Sequence, residues 1–307
     1  MLAAEASPYA KVGGLGDVVG ALPRALGKLG ARPVIVLPAY QRVLSGPLGL
    51  RRCARVPGFE VPMRSSAEHA AVYEAPPDGT GVEAYLIGSG KYFDRSGIYD
   101  DAFTKEVYSD NMERFVFFMK AVLELLPRLG APVDILHCHD SHTALIPGLI
   151  RTARGEDPFY AACGTLLTIH NLAHQGIFPK DSLAVAGIDP KHFYPMSPFE
   201  YWGQVNFMKA GIELADRVNT VSETYAAEIQ SHPEFGMGLE HVLRRRAADL
   251  SGIVNGIDTR EWDPETDPHL PARYSARDLS GKAVCKDSLL RSFGLPTLFP
   301  RSNASAS

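Results

Sequence analysis

The stretch GTLLTIHN, residues 164–171, joins a short apolar run to two polar side chains that follow it directly. An apolar run of this length, rich in branched side chains, is typical of a buried strand. A weaker run lies at residues 251–254, and three further runs share the pattern: VIVL at 34–37, DILHC at 134–138 and RVNTV at 217–221. We therefore expect five buried strands.

Amphipathic segments lie between the predicted strands. Apolar side chains recur at helical spacing from Val18 to Leu29 and from Phe115 to Leu125. Strands that alternate with helices predict parallel β-α-β units and an α/β fold. Pro23 falls inside the first helical pattern and lacks the N–H that a helix interior needs, so we expect a kink or a later helix start.

Polar pairs follow three of the predicted strands at the point where each strand ends. The pairs are His139-Asp140, His170-Asn171 and Ser222-Glu223. In an open parallel sheet, ligands bind outside the carboxyl ends of the strands. The order of strands and polar residues alone therefore predicts a binding site at one edge of the sheet.

Length and composition bound the class of protein. The 307 residues correspond to about two domains. Hydrophobic residues make up 45% and charged residues 21%, which is enough apolar material for a sizeable core and excludes disorder over most of the chain. The formal charge of -4 offers no basic surplus, so we expect no nucleic-acid partner.

The sequence also contains signals that bear on the cellular compartment of the protein. Its start carries Glu5 and lacks the basic and apolar regions of a signal peptide, and no run approaches the ~18 apolar residues that span a bilayer. The cysteines, at 53, 138, 163 and 285, are widely spaced and form no CxxC pair. Free thiols of this kind favour a reducing compartment. We therefore expect a cytoplasmic protein without a membrane partner.

A glycine-rich segment, KVGGLGD at residues 11–17, precedes the first helical pattern. Glycines let the backbone approach a ligand, and a helix N-terminus offers unpaired N–H groups with a partial positive charge. Lys11 adds a point charge suited to phosphate. The spacing matches neither the P-loop nor the GxGxxG fingerprint. The segment therefore predicts either a phosphate-binding loop or a tight turn in which Asp17 caps the helix.

The segment HCHDSH, residues 137–142, has the composition of a metal site. It comes near the HxHxDH pattern of dinuclear metallo-hydrolases, with the acid one place too early. His137 and His139 would share one face of a strand, but no second cluster with clear ligand spacing follows. We favour His137 packed in the strand, with His139 and Asp140 on the rim and no metal. A metallo-hydrolase that uses His137, His139 and His142 is the remote alternative.

The loop HNLAHQG, residues 170–176, contains two imidazoles, side-chain amides and a glycine. Such a loop can hydrogen-bond several hydroxyls at once, which suits a sugar, although an ordinary polar surface loop is the alternative. No carboxylate pair can be recognised as that of a glycosidase from one sequence. The chain also lacks a GxSxG nucleophile elbow and a Cys/His pair in a recognisable context.

Taken together and in order, these segments resemble the bacterial glycogen synthase and plant starch synthase family of glucosyltransferases. The opening AEASPYAKVGGLGDVVGALP, residues 4–23, is similar to the family's Lys-x-Gly-Gly-Leu loop and the helix behind it. The resemblance extends from Leu2 to about Leu295. It continues in family order through Phe93–Tyr99, Asp110–Phe115, His139-Asp140, TIHNLAHQG at 168–176, TVSETYAAEI at 220–229, NGID at 255–258 and WDP at 262–264.

The resemblance implies a GT-B architecture, in which two Rossmann-like domains face a cleft. The glucan would lie on the N-terminal side and ADP-glucose mainly on the C-terminal side. The implied reaction moves glucose from ADP-glucose to the non-reducing 4-hydroxyl of an α-1,4-glucan, glycogen or starch, with retention of configuration. No metal or other cofactor is implied, because ADP-glucose is a co-substrate.

The resemblance also implies roles for individual residues. Lys11 would contact the nucleotide phosphates, with the amides of Gly13 and Gly14 beside it, and would neutralise the departing diphosphate. The implied catalytic residues are His170, against the transferring glucose, and Asp140, near the cleft floor. Further substrate-binding positions are implied at Asp17, Tyr99, His139, Asn171 and Asn255.

The chain departs from the family in several places. Ser141 stands where the family usually has Trp, and the family's first strand has several more apolar residues before Leu2. We expect residues 1–248 to form the N-terminal Rossmann-like domain and residues 249–295 to begin a truncated second domain. Residues 296–307 would be a disordered tail. In the family, the second domain continues and holds most of the donor.

These departures lead to expectations for this chain. It would have little activity alone, because catalysis requires the donor held against the acceptor. A glucan-binding half without turnover is the alternative function. The strand and helix after Ser251 would lack the sheet they normally join, which would expose Ile253, Val254 and Ile257 and favour association.

Overall fold

The computed structural model describes residues 1–297 and confirms all five predicted strands as β1, β6, β7, β11 and β12. In chain order the strands are β1 Val34–Pro38, β2 Arg51–Arg52, β3 Gly58–Pro62, β4 Ala67–Glu74, β5 Glu83–Gly88, β6 Ile135–His139, β7 Gly164–Ile169, β8 Ile177–Phe178, β9 Glu200–Tyr201, β10 Gln204–Asn206, β11 Arg217–Thr220 and β12 Leu250–Gly252.

Two parallel groups of strands form the core. One has the order β12-β11-β7-β6, and in the other β1 pairs with β5. The antiparallel strands β4, β3 and β2 extend the sheet beyond β5, and β8, β10 and β9 form a small separate sheet. The α/β fold with a parallel sheet is confirmed.

The first residues of the chain join the two parallel groups. Leu2 forms parallel bridges to Val36 in β1 and to Cys138 in β6. The Leu2 N–H donates to the His137 carbonyl at 2.8 Å, and the Ala3 N–H donates to the Val36 carbonyl at 3.3 Å. Since Leu2 and Ala3 are also fully buried, this short extended segment lies at the centre of the core.

Helices cover the sheet. They are α1 Gly14–Lys28, α2 Gln41–Leu44, α3 Asn111–Leu129, α4 Ile146–Thr152, α5 Ser182–Ala186, α6 Phe207–Leu214, α7 Glu223–Ser231, α8 Pro233–Gly236, α9 Glu240–Arg245 and α10 Ser280–Ser292, with a 3-10 turn at Pro190–His192. The predicted core helix, α3, buries most of its side chains and ends at Gly130, whose φ of 72° suits glycine. No helix within residues 1–297 is long and apolar enough to cross a membrane.

The proline in the first helix does not delay its start. Helix α1 begins at Gly14 and continues through Pro23, which is buried. The carbonyl of Val19, four residues earlier, therefore loses its helical partner. Of the two expectations for Pro23, a later helix start is wrong.

The chain divides into two compact units, Met1–Gly256 and a second that begins at Ile257. The structure differs here from the expected boundary after residue 248. Strand β12 pairs in parallel with β11, with Leu250 opposite Val218 and Gly252 opposite Thr220. The expectation that this strand would lack a sheet is wrong, because the open edge of β11 supplies backbone partners for it.

The second unit contains α10, and the Cys285 thiol lies 3.1 Å from the Ala272 carbonyl. All four cysteines lie within the described residues, and none forms a disulfide. Of the tail expected at residues 296–307, the part from residue 298 onward lies outside the described residues.

Candidate active site at the carboxyl ends of the strands

Two of the three predicted polar pairs meet at the ends of β6 and β7. The Asp140 carboxylate accepts the backbone N–H of His170 at 2.8 Å and that of Asn171 at 3.4 Å. Asp140 itself has a φ of 55°, a left-handed conformation that is uncommon for residues other than glycine. This backbone geometry turns the chain at the end of β6 and brings the carboxylate to the end of β7.

Burial raises the pKa of the Asp140 carboxyl at this site. Its exposed fraction is 7%, and burial raises the pKa of its carboxyl to about 7, against the opposing effect of the two backbone hydrogen bonds. Desolvation disfavours the charged form of a carboxyl group. Asp140 can therefore gain or lose a proton close to neutral pH.

The histidines beside Asp140 form a short chain of rings. His139 Nδ1 lies 2.9 Å from His170 Nε2, and His137 Nε2 lies 2.6 Å from Thr168 Oγ1. Burial lowers the pKa of His170 to about 4 and that of His137 to about 3. The pKa of His139 also falls well below its ordinary value by desolvation. All three imidazoles are therefore neutral at neutral pH.

The glycine-rich segment lies in front of α1, and its first four residues, 11–14, are exposed. Lys11 Nζ lies 2.5 Å from Asp17 Oδ1, so these two predicted residues form an ion pair. A Cβ atom added at Gly13 or at Gly14 would meet no other atom within 4 Å. The space beside these two glycines is therefore open to a ligand.

Glu5, which has no predicted role in the site, anchors this loop. Its carboxylate is 3% exposed and accepts the N–H of Val12 at 2.5 Å and that of Gly13 at 2.9 Å. It also accepts the hydroxyl of Tyr99 at 2.7 Å. The Gly13 N–H is thus directed at Glu5. An acid inside the apolar opening Ala3-Ala4-Glu5-Ala6 was the available signal.

Tyr99 lies at the centre of a second anchored loop. Its ring packs on His142, with ring centroids 4.7 Å apart, and its carbonyl accepts the side-chain amide of Asn111 at 2.7 Å. The fully buried Arg114 donates to the carbonyl of Ile98 at 3.0 Å. Asn111 and Arg114 belong to the sequence motif at residues 110–115, but that motif does not indicate that their side chains hold this loop.

Within residues 1–297, the side chains of the remaining predicted positions form no hydrogen bond with this cluster, although the backbone N–H of Asn171 does. Asn171 is exposed, and its side-chain oxygen accepts the N–H of Ala173 at 3.0 Å. Asn255 is exposed three residues after β12, and within residues 1–297 its side chain makes no hydrogen bond to the other predicted residues. In the third polar pair, Ser222 caps α7 by accepting the N–H of Tyr225.

The histidines of the remote metal alternative do not come together as a ligand set. His137 and His139 stack at 4.1 Å between ring centroids, whereas the His142 ring contacts Tyr99 and Phe115. In the described part of the chain, no group of three or more His, Cys, Asp or Glu side chains is placed to hold a metal ion.

Comparisons with known proteins point to one group. A family model described as the starch synthase catalytic domain matches residues 1–245. Glycogen synthase 1 of Geobacter metallireducens is 45% identical over 297 residues, which cover 96% of this chain and 58% of that protein. The glycogen synthase of Syntrophotalea carbinolica is 43% identical over 295 residues, covering 96% and 59%.

A solved structure gives the same result. The catalytic domain of starch synthase IV from Arabidopsis thaliana, bound to ADP and acarbose, superposes with a TM-score of 0.81 and 32% identity. The match covers 98% of this chain and 60% of that one. The chain therefore spans about three fifths of the length of the relatives it matches.

Proposed function

We propose that this chain, which belongs to the starch synthase catalytic domain family, acts in glucosyl transfer. Its donor is ADP-glucose, and its acceptor is the non-reducing 4-hydroxyl of an α-1,4-glucan, glycogen or starch. The anomeric configuration is retained. The protein is a cytoplasmic glycosyltransferase, and the reaction needs no cofactor, because ADP-glucose is consumed as a co-substrate.

One observation carries the proposal. The loop of Lys11 and the loop of Tyr99 share the Glu5 carboxylate. Glu5 in turn lies close enough to Asp140 for its charge to contribute to the raised pKa of that carboxyl. These contacts support a site near the carboxyl ends of β6 and β7 that combines a cation, an open glycine backbone and a proton-exchanging acid, a combination that suits a phosphorylated sugar.

The proposed roles follow from this grouping. Lys11 neutralises the departing diphosphate, since a fixed cation stabilises the negative charge that develops as the bond breaks. Gly13 and Gly14 allow the nucleotide to approach the backbone. His170 and Asp140 are the proposed catalytic residues beside the transferring glucose. Positions proposed to contact the donor or the acceptor are Asp17, Tyr99, His139, Asn171 and Asn255.

The test measures binding and transfer on the same purified chain. ADP is titrated calorimetrically, and labelled glucose from ADP-glucose is followed into glycogen. Loss of one charged phosphate contact in Lys11→Ala is expected to weaken ADP binding about tenfold. Lys28→Ala, at the other end of α1, is the matched control because Lys28 is also exposed.

The outcomes separate the candidate functions. Equal ADP affinities for Lys11→Ala and Lys28→Ala would contradict the proposed role of the loop. Glycogen binding without consumption of ADP-glucose would instead support a glucan-binding half without turnover. Transfer that the Lys11→Ala substitution abolishes would support the proposed enzyme.

A further inference from the structure

The ring-to-ring hydrogen bond between His139 and His170 can be formed in two ways. Each ring is neutral and therefore has one N–H donor and one lone pair. Either His139 Nδ1–H donates to the lone pair of His170 Nε2, or His170 Nε2–H donates to His139 Nδ1, across the same 2.9 Å. In each ring, the nitrogen outside this hydrogen bond carries a proton in one arrangement and a lone pair in the other.

The surroundings of His139 Nε2, the nitrogen outside the ring-to-ring hydrogen bond, show which arrangement is favoured. His139 is fully buried, and its Nε2 has no hydrogen-bond partner within residues 1–297. If His170 were the donor, the His139 proton would sit on Nε2 as a buried N–H without an acceptor, at a cost of about 1–3 kcal/mol. Orphaned N–H groups are rarer in proteins than under-satisfied acceptors. The arrangement with the proton on His139 Nδ1 leaves only a lone pair in that position.

The neighbouring His137 ring does not direct an acceptor at His139 Nε2. Thr168 Oγ1 donates to Asn219 Oδ1 at 2.6 Å, so it must accept from His137, whose Nε2 is 2.6 Å away. His137 therefore carries its proton on Nε2. Its ring stacks on His139 with centroids 4.1 Å apart and an interplanar angle of 32°, so it presents mainly its face to His139.

We propose that His139 is a positioning residue that holds His170 in the Nδ1-protonated tautomer, with an N–H donor at the substrate side of the ring. The direction of this donor toward bound sugar rests on the proposed function. The nitrogen that a histidine protonates is set by the hydrogen bond that its other nitrogen makes. Within residues 1–297 the His170 ring forms its hydrogen bond through Nε2 and none through Nδ1, and Nδ1 is not among the buried unpaired atoms.

The proposal gives His170 a defined chemical task. A ring with its proton on Nδ1 can donate to a sugar or phosphate oxygen but cannot accept a proton there. The pKa of His170 is lowered to about 4 by burial, so the ring stays neutral at neutral pH. His170 therefore orients the substrate as a neutral donor, and Asp140 is the group at this edge that exchanges protons.

The test is the tautomer of His170 in the full chain labelled with ¹⁵N-histidine. Long-range ¹H–¹⁵N correlation distinguishes a protonated from an unprotonated ring nitrogen, and loss of one spin system in His170→Gln assigns the residue. We expect a protonated Nδ1 and an unprotonated Nε2, unchanged from pH 6 to 8. A protonated Nε2 in the unsubstituted chain would overturn the proposal without reference to any variant.

A variant pair tests the role of His139. His139→Phe keeps a ring in the site and removes the donor, so His170 is expected to move toward the Nε2-protonated form that free histidine favours in water. His174→Phe, in the exposed part of the same loop, is the matched control and should leave His170 unchanged. An unaltered His170 tautomer in folded His139→Phe would contradict the proposal.

Titration with ADP and with acarbose separates this inference from the proposed function. We expect the Nδ1 resonance of His170 to shift when acarbose binds. The expected tautomer with no response to either compound would count against the proposed function while supporting the role of His139. A response to acarbose with a protonated Nε2 would support the proposed function and count against the role of His139.

Discussion

Glu5 connects two segments that lie far apart in the chain. Its carboxylate accepts two loop amides and the hydroxyl of Tyr99, a residue 94 positions away. Hydrogen bonds to a charged group contribute about 1.5–3 kcal/mol each, roughly twice as much as neutral ones. Glu5 therefore orders the otherwise exposed loop that carries Lys11.

Glu5→Ala is expected to free the glycine-rich loop. Without the carboxylate, the N–H groups of Val12 and Gly13 lose their acceptor, and their hydrogen exchange should accelerate by at least about tenfold. Residue-resolved exchange measures this directly. Glu83→Ala is the control because Glu83 also accepts a tyrosine hydroxyl, that of Tyr85, but does not contact the loop. Unchanged exchange at Val12 and Gly13 would contradict the anchoring role.

Asp140 gives the stability of the protein a specific pH dependence. Its folded pKa of about 7 lies above the unfolded value of about 3.9, so between these values the folded state binds more protons than the unfolded state. The free energy of unfolding therefore falls as pH rises from 4 to 7. The full difference corresponds to roughly 4 kcal/mol.

Asp140→Asn is expected to remove this dependence, because asparagine keeps an acceptor for the N–H groups of His170 and Asn171 but has no charge to desolvate. The melting temperature of the variant should match that of the parent near pH 4 and exceed it by several degrees at pH 8. Thermal unfolding at both pH values measures this. Asp134→Asn, at the exposed start of the same strand region, is the control. Parallel pH profiles for parent and Asp140→Asn would disprove the expectation.

At the scale of elements, two glycines of α1 serve different purposes. A Cβ atom on Gly20 would lie 2.5 Å from the Ser7 carbonyl oxygen, whereas one on Gly14 would meet nothing within 4 Å. Gly20 thus permits the close approach of α1 to the opening segment. Gly14 is not required by packing and leaves open space at the helix N-terminus.

The pair Gly20→Ala and Gly14→Ala separates packing from binding. Gly20→Ala should lower the free energy of unfolding in urea by about 1–3 kcal/mol, because backbone atoms must move. Gly14→Ala should leave it unchanged or raise it by up to ~1 kcal/mol through helix propensity, while weakening ADP binding. A similar stability loss in both variants would show that the open space beside Gly14 is not preserved in solution.

For the whole molecule, we expect the end of the parallel sheet to favour association with another chain. Strand β12 lies at the edge of the sheet. The next two residues in the chain, Ile253 and Val254, are 60% and 72% exposed. The expected exposure of these residues and of Ile257 is confirmed. Edge strands with apolar side chains favour pairing with another chain.

Light scattering should therefore give a mass above the monomer value of 33.4 kDa that rises with protein concentration. The double variant Ile253→Ser, Val254→Ser should lower this mass toward the monomer, because it removes apolar side chains without altering the strand itself. A monodisperse monomer for the parent chain at high concentration would contradict the expectation.

The class of fold and the edge that holds the candidate site can be predicted from the sequence alone. Strands β1, β6, β7 and β11 follow from branched apolar runs, whereas β12 follows from a weaker run and is only partly buried. The polar pairs that follow β6 and β7 meet at one edge because parallel strands point the same way. These properties depend on neighbours in the chain, which a local pattern records. Several motifs that resemble the family lie in these strands and in the polar residues after them.

The contacts between side chains that lie far apart in the chain are seen in the three-dimensional structure and not in the sequence. Glu5 with Tyr99, His139 with His170, and β12 with β11 are each pairs separated by 31 residues or more. Burial shared by several elements sets the pKa of Asp140 and leaves Nε2 of His139 without a partner. Such contacts arise from the spatial order of strands, and no local pattern records that order.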